Sequence, residues 1–533
     1  MNITFNFSLK PLQRLKKILE SDNNMEMLIV CTAMVLAAVA TAVMFMNDWI
    51  VLYGDAESHL NIAKRVIDSI TPGAAQLGGI WLPIPHLLLI PFVSIDFLWR
   101  TGVAGSIVSG VCFIVSGLYL YKTTYFITKD KFVSAISFLA FALNPNILYL
   151  QSTPMTELVL IMFFILSSYY FLQYVYDNDN ILYLIYASFF AFCATLSRYD
   201  GWFLVVVQAG CIMLMYIWKK KNWKMMEGKL VMYSTLAFFG IALWFLWGYL
   251  ILGDPLYFTN SQFSARSQQK SWQARGELPS YHNLPSSLAY YFVTSMSNSG
   301  VLIFIAALFG LALFIKDRKK SLSTYVAVII MLVPFIFNVT TLFLGQSVIF
   351  IPHLTDSSFE WTLFNVRYGV MMIPAVGFFF GYLFYKRSYA GKALLVGLIV
   401  AQIGLYLIGF SRVVTFDDGY IGLSHAKRPT AELWLASHYD GGLVLMDDYA
   451  RTISVLRSGI PMQSMIYIGN DKYWEDSLTD PGKYARWVVM QKNDTLWNSI
   501  LDRPVVAGRL YKDFEKVYTS PEILIFRKID RVQ

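Results

Sequence analysis

Charge is scarce in this 533-residue sequence: Asp, Glu, Lys and Arg make up 15% of it against 56% apolar residues, and mean hydropathy is +0.50. Soluble domains carry about 25% charged residues, so the shortfall excludes an ordinary soluble fold and points to an integral membrane protein. Cysteine is scarce too. Cys31, Cys112, Cys193 and Cys211 all lie inside apolar runs, which excludes a disulfide framework and zinc-ligand spacing. The sequence has no internal repeat, no Gly-Ser linker and no low-complexity tract. Ionisable side chains are nearly missing from the centres of the apolar runs, where transporters and ion pumps place the groups that bind their cargo.

What is present is a long series of apolar runs with aromatic ends. Aromatics reach 16%, many of the Trp and Tyr sit near run ends, and the net charge of +8 comes mainly from short Lys/Arg clusters between runs, as membrane topology requires. Eleven runs have spanning length: 27–47, 102–121, 132–150, 156–176, 181–197, 202–218, 230–252, 299–315, 322–344, 367–385 and 392–411. Lys10, Arg14, Lys16 and Lys17 precede the first and read as the inner flank of an uncleaved anchor. Alternate loops then carry Lys122, Lys129 and Lys131; Lys219, Lys220, Lys221 and Lys224; Lys316, Arg318, Lys319 and Lys320; and Lys386, Arg387 and Lys392. One inside turn, "DNDN" at 177–180, is acidic, but the positive-inside bias gives acids little weight.

The proline-broken stretch "WLPIPHLLLIPFV" (81–93) cannot be a full span without moving every later basic cluster outside, so it reads as a segment partly embedded at the outer interface. The expected architecture is a polytopic α-helical membrane domain, residues 1–411, with outer loops at 48–101, 253–298 and 345–366, followed by an outer α/β domain, 412–533. In the latter, "GLVLMDD", "RWVVMQ" and "EILIFR" read as strands, while "PTAELWLASHY" and "TLWNSILD" have helical spacing.

The titratable groups gather at the outer run ends: Asp55, Glu57 and His59 after the first, Glu157 opening the fourth, Arg198 and Asp200 between the fifth and sixth, and Arg367 opening the tenth. "GDAESHLNIAKRVIDSI" (54–70) reads as an amphipathic helix able to lie on the bilayer, with Leu60, Ala63, Ile67 and Ile70 in one stripe and Asp55 at its N-cap facing the same side as His59. A purely structural cap is one reading of Asp55. The other is chemical: an acid at the membrane mouth, with outer Arg and Lys nearby, suits transfer of a group from a lipid phosphate. There the acid takes a proton from an acceptor hydroxyl and the cations stabilise the departing phosphate.

This layout resembles the GT-C class of integral-membrane glycosyltransferases, which includes protein O-mannosyltransferases, lipid A aminoarabinose transferases and catalytic subunits of oligosaccharyltransferases. The resemblance rests on "GDAES" in the first outer loop, the apolar segment after it, the many spans and the outer C-terminal domain. It implies Asp55 as general base, Glu57 as a second acid displaced by one position through Ala56, and Glu157 in "STPMTELV" as a further site acid. It also implies a polyprenyl-phosphate sugar donor, a glycan, lipid or protein acceptor, and, in one branch, Mg or Mn held by Asp55, Glu57 and Glu157.

Arg198 in "LSRYDGW" and Arg367 in "FNVRYGV" each oppose the dipole at an outer helix start and want an anionic partner, for which Asp200 is a structural alternative at Arg198. Arg266, Lys270, Arg275 and His282, interleaved with Trp272 and Tyr281, suit a lipid phosphate and a sugar or a solvated loop. Asp447 and Asp448 end a strand and suit a sugar hydroxyl or an ordinary turn. The expectation is an inverting transferase of hexose or pentose from polyprenyl phosphate to an acceptor outside the cytoplasm, with His59, Glu157, Arg198, Arg266, Lys270, Arg275 and Arg367 holding substrate. A transporter or lipid flippase, and a non-catalytic assembly or sensor protein, are the alternatives.

Overall fold

The computed structural model describes residues 22–177, 180–218, 222–318, 321–359, 361–421, 429–447 and 453–530. The N-terminal basic cluster, half of the "DNDN" turn, Lys219 to Lys221, Lys319, Lys320 and Asp448 lie outside the described residues. Among the described residues, six helices are long and apolar enough to span a bilayer: Asp22–Met46, Val103–Thr128, Glu157–Tyr176, Asp200–Trp218, Val366–Leu383 and Tyr389–Leu407. Three bent pairs raise the number to nine: Trp223–Ala237 with Phe239–Leu252 at 40°, Leu322–Met331 with Val333–Phe343 at 47°, and Leu284–Ser299 with Val301–Asp317 at 111°.

The count of eleven is therefore not confirmed. The run at 132–150 folds as two helices, Lys131–Ala142 and the short Pro145–Leu150, and that at 181–197 as Ile181–Thr195, so the longest helix in each is Lys131–Ala142 and Ile181–Thr195. At 1.5 Å per residue these are only about 18 and 22 Å long, against a hydrocarbon core of about 30 Å. The proline-broken stretch forms a helix over Ile84–Val93, about 15 Å long and likewise too short to cross.

Side-chain contacts sort the loops to two ends of the bundle. Lys122 pairs with Glu26 at 2.9 Å and Lys131 with Asp22 at 2.7 Å, Arg318 donates to the Ile127 carbonyl, and Lys392 lies over the Phe132 ring. At the opposite end, Tyr199 donates to the Ile80 carbonyl and Trp247 to that of Gly78, gathering the first outer loop, the 196–200 corner and the 247–258 corner.

The outer domain joins them there. Its sheet has the order β2-β1-β3-β5-β4, with β1 (Leu443–Met446) parallel to β2 (Met465–Ile466) and β3 (Ala485–Gln491), and β5 (Ile523–Lys528) antiparallel to β3 and to β4 (Phe514–Thr519). Buried Leu445, Val488, Met490 and Phe526 pack it against the helix Pro504–Asp513 through Val506 and Leu510.

The first outer helix, Gly54–Ile67, departs from expectation in two ways. Its N-cap residue is Tyr53, without a side-chain cap, and Asp55 sits in the first turn, so Asp55 is not the cap. Nor does the helix lie open on the bilayer: Leu60, Ala63, Lys64 and Arg65 are all buried, the helix packing on Ile84–Val93 and Ala74–Leu77, with Lys64 over the Trp99 ring and the C-terminal domain reaching Arg65. Arg65 stacks over Tyr467 at 4.0 Å, and Gln76 donates to the Gly469 carbonyl at 3.0 Å.

Candidate active site

Five of the singled-out residues form one chain of alternating charge at the outer end of the bundle. Asp55 accepts from Arg367 Nη2 at 2.7 Å, Arg367 Nε reaches Glu157 at 3.3 Å, Glu157 accepts from Arg198 Nη1 at 3.1 Å, and Arg198 Nε lies 3.5 Å from Asp200. Thr156 Oγ1 accepts a further bond from Arg198 at 3.0 Å. Tyr368 lies between the two arginines, its ring centroid 5.2 Å from each guanidinium carbon. Glu157 is fully buried and Arg367 nearly so, whereas the Asp55 side chain keeps 25% of its exposure. The one carboxylate of this group that is well open to water is thus the one expected to meet an acceptor.

Local sequence explains how Arg367 arrives there. Asn365 adopts the left-handed conformation that Asn tolerates, starting the tight turn Val366–Met372. Gly369 lets that turn touch Asn298 and the Thr294 carbonyl, where any Cβ would clash. Asn298 in turn donates to the Val366 carbonyl at 2.7 Å, and Gly300, at φ 86°, makes the sharp break that ends the Asn298 helix.

A sixth group, Asp418, was not among the expected site residues. It lies 4.0 Å from Arg367 Nη1 and accepts from the Tyr53 hydroxyl at 3.3 Å; burial, offset by Arg367, pushes its carboxyl up to about 6. The signal in the sequence was "FDDGY", a pair of acids directly after the last apolar run.

The remaining expected residues lie elsewhere. Glu57 faces the outer domain and accepts from the backbone N–H of Val455 at 2.7 Å. His59 is buried beside Trp81 and bonded through Nδ1 to His86 Nε2 at 2.9 Å; burial pushes it down to about 4, so it is uncharged at neutral pH. Arg266 and Lys270 are exposed on the helix Ala265–Ala274, which Trp272 fastens to Phe350 and Phe364, while Arg275 pairs with Glu277 at 2.9 Å. Asp447 accepts from the Thr495 N–H at 3.2 Å.

The trio that one branch of the resemblance offers as a possible Mg or Mn site does not converge. Asp55 and Glu157 both face the Arg367 guanidinium and Glu57 faces away; among the described residues no group of three His, Cys, Asp or Glu side chains is placed to hold a metal ion.

Below the charge chain, between the spans, lies a narrow, partly open cleft with Asp200 in its wall and otherwise lined by side chains such as Leu160, Phe164, Leu172, Pro334 and Phe378. Leu160 to Leu172 covers about 18 Å of helix, over half the thickness of a hydrocarbon core.

The fold is similar to that of solved GT-C membrane proteins. ArnT from Cupriavidus metallidurans bound to undecaprenyl phosphate superposes with a TM-score of 0.56 over 96% of this chain and 99% of its own, at 12% identity. The same protein in the apo state gives 0.53 over 93% and 97%, at 13% identity. The Archaeoglobus fulgidus oligosaccharyltransferase tethered to an acceptor peptide gives 0.48 over 94% and 74%, at 11% identity. No family model matches the sequence, and a comparison with curated proteins finds no match. The chain is an integral membrane protein with the GT-C fold; at these identities the likeness defines the fold alone.

Proposed function

We propose that this protein is a glycosyltransferase that moves a sugar from a polyprenyl-phosphate donor to an extracytoplasmic acceptor. The observation that carries the proposal is the stacking of an apolar cleft between the spans beneath an Arg–carboxylate chain that ends in a partly open Asp55. A donor of this kind is itself divided in the same way, into an isoprenoid tail, a phosphate and a sugar. The tail gains about 25 cal/mol for each Å² it buries among the spans. Arg198 and Arg367 face the phosphate as it leaves with the electron pair of the sugar C1–O bond. Asp55 takes the proton from the acceptor hydroxyl, whose oxygen attacks C1 from the opposite side, and the product is inverted. The ArnT structure carrying undecaprenyl phosphate supports a polyprenyl phosphate as the lipid.

Lys122, Lys129, Lys131 and Arg318 lie at the end of the bundle remote from this site, which supports a cytoplasmic N-terminus and an extracytoplasmic site and outer domain. The outer domain, docked over the first outer helix, shapes acceptor access.

The test is to incubate the purified protein with a panel of polyprenyl-phosphate pentoses and hexoses and candidate acceptors. Release of polyprenyl phosphate with sugar retained on the acceptor is expected from at least one donor. Silence toward every donor, together with acceptor-independent movement of labelled lipid across vesicles, would replace the transferase with a flippase.

A further inference from the structure

Asp55 is bracketed by two side chains that both bond the C-terminal part of the chain. Two residues before it, the Tyr53 hydroxyl donates to the Thr415 carbonyl at 2.6 Å and to Asp418 at 3.3 Å. Two residues after it, Glu57 Oε1 accepts from the backbone N–H of Val455 at 2.7 Å and, more weakly, of Leu456 at 3.4 Å. The short outer-domain helix Val455–Ser458 is gripped from its other end as well: Arg100, itself held by Asp96 at 2.8 Å, donates to the carbonyls of Leu456 at 3.3 Å and Ile460 at 3.5 Å.

Residues two apart on an α-helix point about 200° apart, so Asp55 and Glu57 cannot work on one reacting centre. The contacts agree: Asp55 turns into the bundle toward Arg367, Glu57 turns out toward the outer domain, and Ala56 between them is fully buried. We infer that Glu57 is a positioning residue, the latch through which the outer domain fixes the first turn of the Gly54–Ile67 helix and so holds Asp55 against Arg367. The inference rests on the proposed transferase reaction for its kinetic consequence, but the contact itself does not. An acceptor that moves the 455–460 segment is then felt directly at the base.

The test compares Glu57→Gln with Glu57→Ala, because the glutamine oxygen still accepts the Val455 N–H whereas a proton-transfer role would be lost. Two readouts are used: steady-state transfer across pH, and hydrogen exchange at the Val455 and Leu456 amides, which needs no activity. Glu57→Gln is expected to keep kcat within about threefold with an unchanged pH profile and slow amide exchange, while Glu57→Ala loses about tenfold or more in kcat, leaves donor KM within about twofold, and exchanges fast. A glutamine variant as inactive as the alanine one with its amides still protected overturns the latch in favour of acid–base chemistry. An alanine variant with wild-type kcat and fast-exchanging amides overturns the positioning role. If the wild type transfers nothing, the functional proposal fails on its own, and fast exchange in the wild type then rejects the contact.

Discussion

At the end of the bundle that holds Lys122 and Lys131, ion pairs are half open to water: the Lys122 side chain is 26% exposed and its partner Glu26 36%, and Lys131 meets Asp22, itself 60% exposed. At the other end, Arg367 is 8% exposed and touches Glu157 at 0% and Asp418 at 4%. Open pairs contribute about 0–1 kcal/mol each, and theirs is the ordinary work of membrane topology. Buried pairs cost several kcal/mol per ion in lost hydration and are often no better than apolar residues of the same size. A chain running Asp55, Arg367, Glu157, Arg198, Asp200, drawn from separate stretches of sequence, is therefore poorly explained by stability. Such a cost is borne where the groups serve a reaction, in keeping with the transfer proposed above.

That contrast breaks most easily at Arg367. Arg367→Met leaves Asp418 buried without its cation and Glu157 with Arg198 alone, so the detergent-solubilised protein is expected to lose about 3–5 kcal/mol of stability and all transfer. Thermal unfolding followed by intrinsic fluorescence checks the first and product formation the second. Arg198→Lys keeps the charge but not the planar fork that serves Thr156 and Glu157 together, and should weaken binding of undecaprenyl phosphate by about tenfold. Unchanged affinity in a titration would remove Arg198 from the donor site.

Asp418 sharpens the comparison through pH. Folded, it holds its proton up to about pH 6; unfolded, only to about 4. Between those values the native state binds more protons, so this group's contribution to stability declines as pH rises from about 4 to about 6 and stays low above. Asp418→Asn should then melt higher than wild type at pH 8, with the gap closing as pH is lowered toward 4; a gap independent of pH would locate its cause elsewhere. The smallest effect belongs to the opposite end. Lys122→Met should cost less than about 1 kcal/mol and leave transfer within about twofold, and a loss like that of Arg367→Met would erase the distinction between the two ends.

Much of this was legible in the sequence because charge is so scarce in it. With few acids and bases available, their gathering at the outer run ends already selected Asp55, Glu157, Arg198, Asp200 and Arg367, and the strands β1, β3 and β5 stood out as apolar runs of strand length. What escaped depended on contacts distant in sequence. Asp418 was not singled out, because its place at the site is made by contacts with Tyr53 and Arg367 from far along the chain. Glu57 read as a second catalytic acid, since residue type and spacing do not reveal which face a domain arriving from residue 455 will cover. The two-residue strand β2 and the more polar strand β4 form no apolar run, and hydropathy alone did not separate full spans from the short helices Lys131–Ala142 and Ile181–Thr195.

The central claim is that the carboxylate of Asp55 takes the proton of the acceptor. Turnover of wild type and Asp55→Asn on the same polyprenyl-phosphate sugar, read as released lipid phosphate, tests it most directly, because the substitution keeps the side chain's size and Asp55 does not cap its helix. The expected result is a loss of about 10²–10⁴-fold in rate with a cooperative melt close to wild type. Turnover by the asparagine variant at the wild-type rate would contradict it.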